Sequence, residues 1–302
     1  MGLLDKLKST LNPSEDVENN GEIASDILKD KASTILKQLS GGDAKYVRKL
    51  VDNVVTFTGA SGGVGVSTIV SNIASLAADS GLNVMVIDLN IMYPIQHTFF
   101  GIEQKIERPD LVSYLLGKNS LGESVMSNGS ISLLIPNNRG LMDSINCEMQ
   151  SAVNNFASTL DQLRKMFDLI IIDAPMLVEH LLINTAFYLS NQIYLVWDES
   201  ISSISNTERI RRNMLASGID AYSKMKVILN KKTSVNYSKY PIEKLNLELV
   251  DVLPFDVAII ECGLRSKIFC QKGSTSSKNA GEFYHKMVSI TNTVLRNGGF
   301  TK

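Results

Sequence analysis

The sequence predicts an α/β domain built on a doubly wound, mostly parallel sheet with a short N-terminal helical extension, and three observations predict it. Short β-branched runs alternate with helical stretches from residue 53 onward. A glycine-rich turn joins the first of these runs to an apolar helix. The chain of 302 residues is 44% hydrophobic and 20% charged, which suits a globular core and excludes a disordered or fibrous chain.

Residues 1 to 50 read differently from the rest. Met1 to Leu11 sets Leu3, Leu4, Leu7 and Leu11 on one helical face, with Lys6 and Lys8 elsewhere, until Asn12-Pro13-Ser14 stops the pattern. Residues 14 to 22 are an acidic, polar linker, after which Ile23, Ile27, Ile35 and Leu39 recur at helical spacing up to Gly41-Gly42. The expected division is therefore a helical extension over 1–50 and one domain over 51–302. The first 50 residues hold eight basic and eight acidic side chains, so the first helix suits docking on protein better than lying on a membrane.

The strands of the domain are expected at Val54-Val55-Thr56-Phe57, Val84-Met85-Val86-Ile87, Ile131 to Ile135, Leu169 to Ile172, Ile193 to Trp197 and Val227 to Leu229. In such a sheet, ligands sit at the carboxyl ends of the strands. Thirty Lys and Arg against 31 Asp and Glu leave a net charge of −1, so no overall field favours nucleic acid or an anionic membrane. Cys147, Cys262 and Cys270 are too few and scattered for a disulfide framework or a four-ligand zinc site. No run approaches a bilayer span, and Asp5, Lys6 and Lys8 interrupt any secretory start, so a cytoplasmic location is expected.

The strongest local signal follows the first strand: Thr58-Gly59-Ala60-Ser61-Gly62-Gly63-Val64-Gly65-Val66-Ser67-Thr68, leading into a helix from about Ser67 to Ala78. Four glycines within seven residues let backbone N–H groups turn inward, and the helix start adds partial positive charge, so phosphate is the natural guest. Two templates compete. A phosphate loop needs Gly-x-x-x-x-Gly-Lys-Ser/Thr; here Ala60 takes the first glycine place and Val66 the lysine place, while Gly65, Ser67 and Thr68 fit. A short-chain NAD(P)-dependent oxidoreductase would read Gly59, Gly63 and Gly65 as its cofactor turn, with Asp88 on a ribose hydroxyl. Asn137-Asn138-Arg139-Gly140 and the Tyr240/Lys244 pair mimic its later motifs, but Pro241 directly after the tyrosine argues against the needed helical geometry. Leu169-Ile170-Ile171-Ile172-Asp173-Ala174-Pro175 tips the balance, since an apolar strand ending in aspartate is how a magnesium-orienting Walker B element reads.

Together with Val86-Ile87-Asp88-Leu89-Asn90, Val196 to Thr207, Leu229-Asn230-Lys231 and Leu253-Pro254-Phe255-Asp256, these motifs resemble the deviant-Walker P-loop ATPases of the MinD/ParA group, and within it the CpaE/TadZ branch of Tad-type pilus assembly. The resemblance covers residues 53 to about 270. It implies that Ser61 and Gly62 to Thr68 wrap the phosphates of ATP, that Ser67 and Asp173 organise magnesium, that Asp88 faces the γ-phosphate side, and that Asn230 and Pro254 flank the adenine. It also implies a homodimer and protein partners in a pilus or secretion assembly, with peripheral contact at the inner face of the cell membrane left open. Hydrolysing members carry one lysine early in the loop and one at its end, where this chain has Ser61 and Val66, and Asn90 stands where many place a second aspartate.

A charge-assisted hydrogen bond is worth about 1.5 to 3 kcal/mol, so losing the loop lysine weakens nucleotide binding by roughly ten- to a few-hundred-fold without abolishing it. Hydrolysis depends on positive charge against transition-state oxygens and suffers more. The expected function is an ATP-binding, weakly or non-hydrolysing localisation factor. An active ATPase switch in division or DNA positioning and the oxidoreductase stay open as alternatives. DNA binding draws no support from the balanced charge. His97, His180 and His285 share no metal-ligand spacing, and Arg209, Arg211 and Arg212 read as a solvated helix face. Related bacterial tyrosine kinases carry a tyrosine-rich tail, whereas this carboxyl end has Tyr284 alone, which disfavours that reading.

Overall fold

The computed structural model describes residues 53–103, 108–137, 148–176, 180–233, 240–271 and 278–300. The extension over 1–50, Asn138 to Gly140, Cys147 and all but Lys278 of the polar stretch Gly273 to Lys278 lie outside the described residues.

Eight strands, β1 (Val54–Gly59), β2 (Val84–Asp88), β3 (Val125–Asn128), β4 (Ile131–Leu134), β5 (Leu169–Ala174), β6 (Gln192–Trp197), β7 (Met225–Lys232) and β8 (Glu248–Pro254), form one sheet in the order β3-β4-β2-β5-β1-β6-β7-β8. Among the described residues, only the β3–β4 pair is antiparallel. The helices between them are α1 (Val66–Asp79), α2 (Gln96–Phe99), α3 (Leu111–Leu115), α4 (Leu121–Ser124), α5 (Met149–Leu163), α6 (Leu181–Leu189), α7 (Ile201–Ala216), α8 (Ala221–Lys224), α9 (Tyr240–Lys244), α10 (Val257–Leu264) and α11 (Lys278–Asn297).

The near-continuous apolar runs follow from burial on both faces. Successive strand side chains point to opposite faces, so Val84 and Val86 enter one core and Met85 and Ile87 the other. The first core is closed by α1 and α11 through Ile69, Ile73, Phe283 and Met287, with Phe57 stacked on Tyr194 at 4.8 Å between ring centroids. The second is closed by α5, α6 and α7 through Phe156, Leu160, Phe187 and Ile210. This two-sided covering is the doubly wound arrangement expected from the alternation of runs. The structure adds β3 and β8 to the six expected strands, and both are edge strands. No described helix is long and apolar enough to cross a membrane.

Because β1 lies between β5 and β6, the loop after β1 leaves the middle of the sheet. The ends of β2, β5, β7 and β8 therefore open on the same edge, which brings Asp88, Asp173, Asn230 and Pro254 around one loop.

Candidate functional site

The loop Gly59–Gly65 is held in shape by four hydrogen bonds to three elements, β6, α7 and β7. Ala60 N donates to Val196 O at 2.9 Å, and Asn206 Nδ2 of α7 donates to Ala60 O at 2.8 Å. Asn230 Nδ2 donates to Val64 O at 2.8 Å, and Lys231 Nζ donates to Gly63 O at 2.6 Å. Val64 is 2% exposed and packs in the core. Gly65 has φ +97°, and a Cβ there would stand 2.5 Å from Asn230 Nδ2, so no other residue fits between loop and strand. Gly65 also caps α1, whose first amides, Val66, Ser67 and Thr68, have no acceptor within the helix. Those amides and the start of a helix of 14 residues suit an anion.

Two cavities meet at this loop. One, of about 310 Å³, is lined by Ser61 to Thr68 with Asn90, Asp173, Pro175 and Met176. The other, of about 280 Å³, is lined by Gly63, Gly65, Thr68, Asn230, Lys231, Pro254 and an apolar wall from Phe255, Ile259, Ile260 and Leu264. They share Gly63, Gly65 and Thr68. The first offers backbone donors and hydroxyls; the second offers a flat apolar wall with amide and carbonyl groups at its rim.

Two buried aspartates stand at the first cavity, Asp173 in its lining and Asp88 behind it. Asp88 and Asp173 are register partners on adjacent strands. Asp173 accepts from the Ser67 hydroxyl and from Gln96 Nε2 at 2.7 Å, and burial raises its pKa. Asp88 accepts from the backbone N–H of Asn90, Ile95 and Gln96, which fixes the β2–α2 turn. Burial and then the charge of Asp173 push Asp88 up to about 8. Asp88 is fully buried and lines neither cavity; Asn90, two residues on, does line the first. Asn90 Oδ1 accepts from Tyr93 N at 3.3 Å.

Of the residues singled out from sequence, Ser61 to Thr68 and Asp173 line the first cavity, Asn230 and Pro254 line the second with Gly63, Gly65 and Thr68, and Asp88 lines neither. Gln96 escaped the sequence reading: fully buried, its Nε2 also donates to Ser67 O at 3.2 Å, and its Oε1 has no hydrogen-bond partner. A lone polar residue amid Pro94-Ile95-Gln96 gives no local sign of that role. The Ser67 hydroxyl and the Asp173 carboxylate, which line the first cavity, are hard donors of the kind magnesium takes, alongside phosphate oxygens and water. The described residues hold no group of three or more His, Cys, Asp or Glu placed for a metal. His97 and His180 are pushed down by burial. Arg211 donates to Leu245 O at 2.7 Å and lies over the Tyr222 ring, away from both cavities. Lys244, at the end of α9, also lines neither.

A central glycine loop opening a helix, an aspartate at the end of the adjacent strand and a mostly parallel sheet define a P-loop fold of the MinD/ParA type. The AAA domain family matches residues 52–216, more than half of the chain, and the chain belongs to that family. Its fold is similar to that of MinD in the MinC:MinD cell division complex of Aquifex aeolicus, at 17% identity and TM-score 0.66, covering 83% of this chain and 97% of that one. It is also similar to the septum site-determining protein MinD of Pyrococcus horikoshii OT3, solved with Mg-ADP, at 16% identity and TM-score 0.65, covering 80% of this chain and 95% of that one. In sequence it is 30% identical over 159 residues to the tyrosine-protein kinase ptk of Acinetobacter johnsonii, covering 53% of this chain and 20% of that protein. The chain spans a fifth or less of the length of the curated relatives it matches.

Proposed function

We propose that the chain binds ATP with magnesium and serves as a weakly hydrolysing or non-hydrolysing localisation and assembly factor, of the CpaE/TadZ kind, for a Tad-type pilus or similar envelope machine. The observation that carries this reading is the pair of joined cavities with Val66 at the loop's lysine place. In this reading the amides of Gly62 to Thr68 surround the phosphates, and Ser67 and Asp173 hold the metal. Asn230 and Pro254 border the base, which lies against Phe255 and Ile260. Magnesium, when bound, neutralises phosphate charge at the Ser67–Asp173 pair. Gln96 keeps the Asp173 carboxylate aimed there, and Asp88 fixes the turn that presents Asn90. The Mg-ADP in the archaeal MinD structure supports the same cofactor by analogy of fold.

Val66 supplies no charge to oxygens that become more negative as the γ-phosphoryl group departs, and Asn90 in place of a carboxylate supplies no base. Residues 1–50 act in this reading as a helical extension, and residues 51–302 as the nucleotide-binding domain. The working form is a homodimer in the cytoplasm, with partners in the envelope assembly and peripheral contact at the membrane's inner face as its place of action.

The test is a titration of the purified full chain with fluorescent ATP and, in parallel, NADPH, each with magnesium. Saturable ATP binding that a chelator weakens is expected. Binding of NADPH alone would replace this reading with the oxidoreductase one. A second reading, phosphotransfer to tyrosine, is favoured by the identity with the Acinetobacter kinase. Incubation with ATP and magnesium followed by a phosphotyrosine immunoblot separates the two, and a signal on this chain would favour the kinase.

A further inference from the structure

The strand β7 carries an irregularity where it meets the loop. Leu229 pairs with Val252 and Lys232 with Pro254, so that Asn230 and Lys231 together oppose the single residue Leu253. Lys231 sits at φ +57°, a left-handed conformation that a lysine adopts only when its surroundings impose it. In a regular strand, Asn230 and Lys231 would point to opposite faces. Here both reach the same loop, Asn230 at Val64 O and Lys231 at Gly63 O. A bulge of this kind re-aims a side chain.

Among the described residues lining the two cavities, Lys231 is the one cationic side chain. Its Cε lies 3.9 Å from where a Cβ on Gly65 would be; Gly65 borders both cavities, and Lys231 itself lines the second. An ammonium has three donors. One goes to Gly63 O at 2.6 Å, leaving two for further acceptors.

We propose that Lys231, delivered by the β7 bulge, takes over the work of the missing loop lysine and binds the phosphate oxygens of the nucleotide. The inference rests on the ATP reading above and deepens it. Val66 keeps the helix start apolar, packing on the core, while the positive charge arrives at Gly63 from the end of β7, 168 residues further along the chain than Gly63. The charge then enters from the side of the loop that faces the second cavity, where it would offset the charge of bound phosphates.

The experiment uses the full chain, fluorescent ATP with magnesium, and two competitors, inorganic triphosphate and adenosine. Lys231→Met is expected to weaken ATP roughly ten- to a hundred-fold and to abolish competition by triphosphate, while leaving competition by adenosine unchanged. Lys231→Arg, which keeps the charge, is expected to stay within about threefold of the wild type. Far-UV circular dichroism shows whether each variant folds, and Lys231→Gln replaces the Met variant if that one does not. Wild-type-like ATP and triphosphate binding by Lys231→Met would overturn the proposal while leaving the ATP reading intact. Equal losses for triphosphate and adenosine would also overturn it, because a lysine that only shapes the loop affects both. A wild type that binds no ATP would overturn the ATP reading and this proposal with it.

Discussion

At the scale of single residues, the site is an arrangement of close contacts that tolerate little change. Gly65→Ala would force a Cβ to within 2.5 Å of Asn230 Nδ2 at a left-handed φ, so the loop must open or Asn230 must leave Val64 O. Either way ATP affinity is expected to fall more than tenfold, and the melting temperature with it, as checked by titration and thermal denaturation. Asn230→Ala leaves Val64 O without its donor and is expected to cost about 1 to 3 kcal/mol in chemical denaturation.

Asp88 gives a pH dependence whose sign can be worked out. Its folded pKa, about 8, lies above the usual aspartate value of 3.8, so between these limits the folded state holds a proton that the unfolded chain releases. The contribution of Asp88 to stability is therefore fully present on the acid side and is lost as pH rises through about 8. Melting of the metal-free protein in chelator, from pH 5.5 to 8.5, is expected to fall more steeply for the wild type than for Asp88→Asn. Parallel curves for the two proteins would refute the assignment.

At the scale of elements, the six interior and near-interior strands were legible because each is a compact apolar run, and burial on both faces writes that pattern directly into sequence. The other two were not. β3, Val125-Met126-Ser127-Asn128, is half exposed, and β8 carries Glu248 and Asp251 on an edge, so neither shows a continuous run. The glycine loop and Asp173 were legible for a similar reason, since one stretch of chain contains the geometry. Gln96 and the aim of Lys231 were not, because a buried contact to Asp173 and a bulge between β7 and β8 are made only when distant segments meet.

The helix α10 shows the same division. Asp256 caps it by accepting from Ala258 N at 2.8 Å, and the helix then offers Ile259 and Ile260 to the second cavity, proposed above for the base. Asp256→Ala is expected to cost about 1 kcal/mol in denaturant and to weaken adenosine competition along with ATP, in contrast to the phosphate-selective loss predicted for Lys231→Met.

At the scale of the whole molecule, a doubly wound sheet gathers its strand ends on one edge, and the three most exposed large apolar side chains among the described residues follow strands at that edge. Ile201 is 84% exposed at the start of α7, Leu264 82% at the end of α10 and Tyr93 74% after β2. Apolar groups left in water around a ligand edge mark a surface for association. Sedimentation is expected to show a dimer in the presence of ATP and magnesium, and Ile201→Glu to hold the protein as a monomer with its fold intact. An ATP-bound monomer would argue against the homodimer.

The central claim, resting on the proposed ATP reading, is that this fold retains a nucleotide cradle while lacking the charge placement for turnover: Val66 and Ser61 stand where the resemblance expects lysines, Asn90 lines the first cavity, and Lys231 lines the second. The most direct measurement is phosphate release by the full chain at saturating ATP and magnesium, with bound ATP quantified in the same sample. Occupied protein that releases phosphate no faster than protein-free ATP is the result predicted. Sustained turnover near the common enzymatic range, on the order of 1 per second or more, would contradict it.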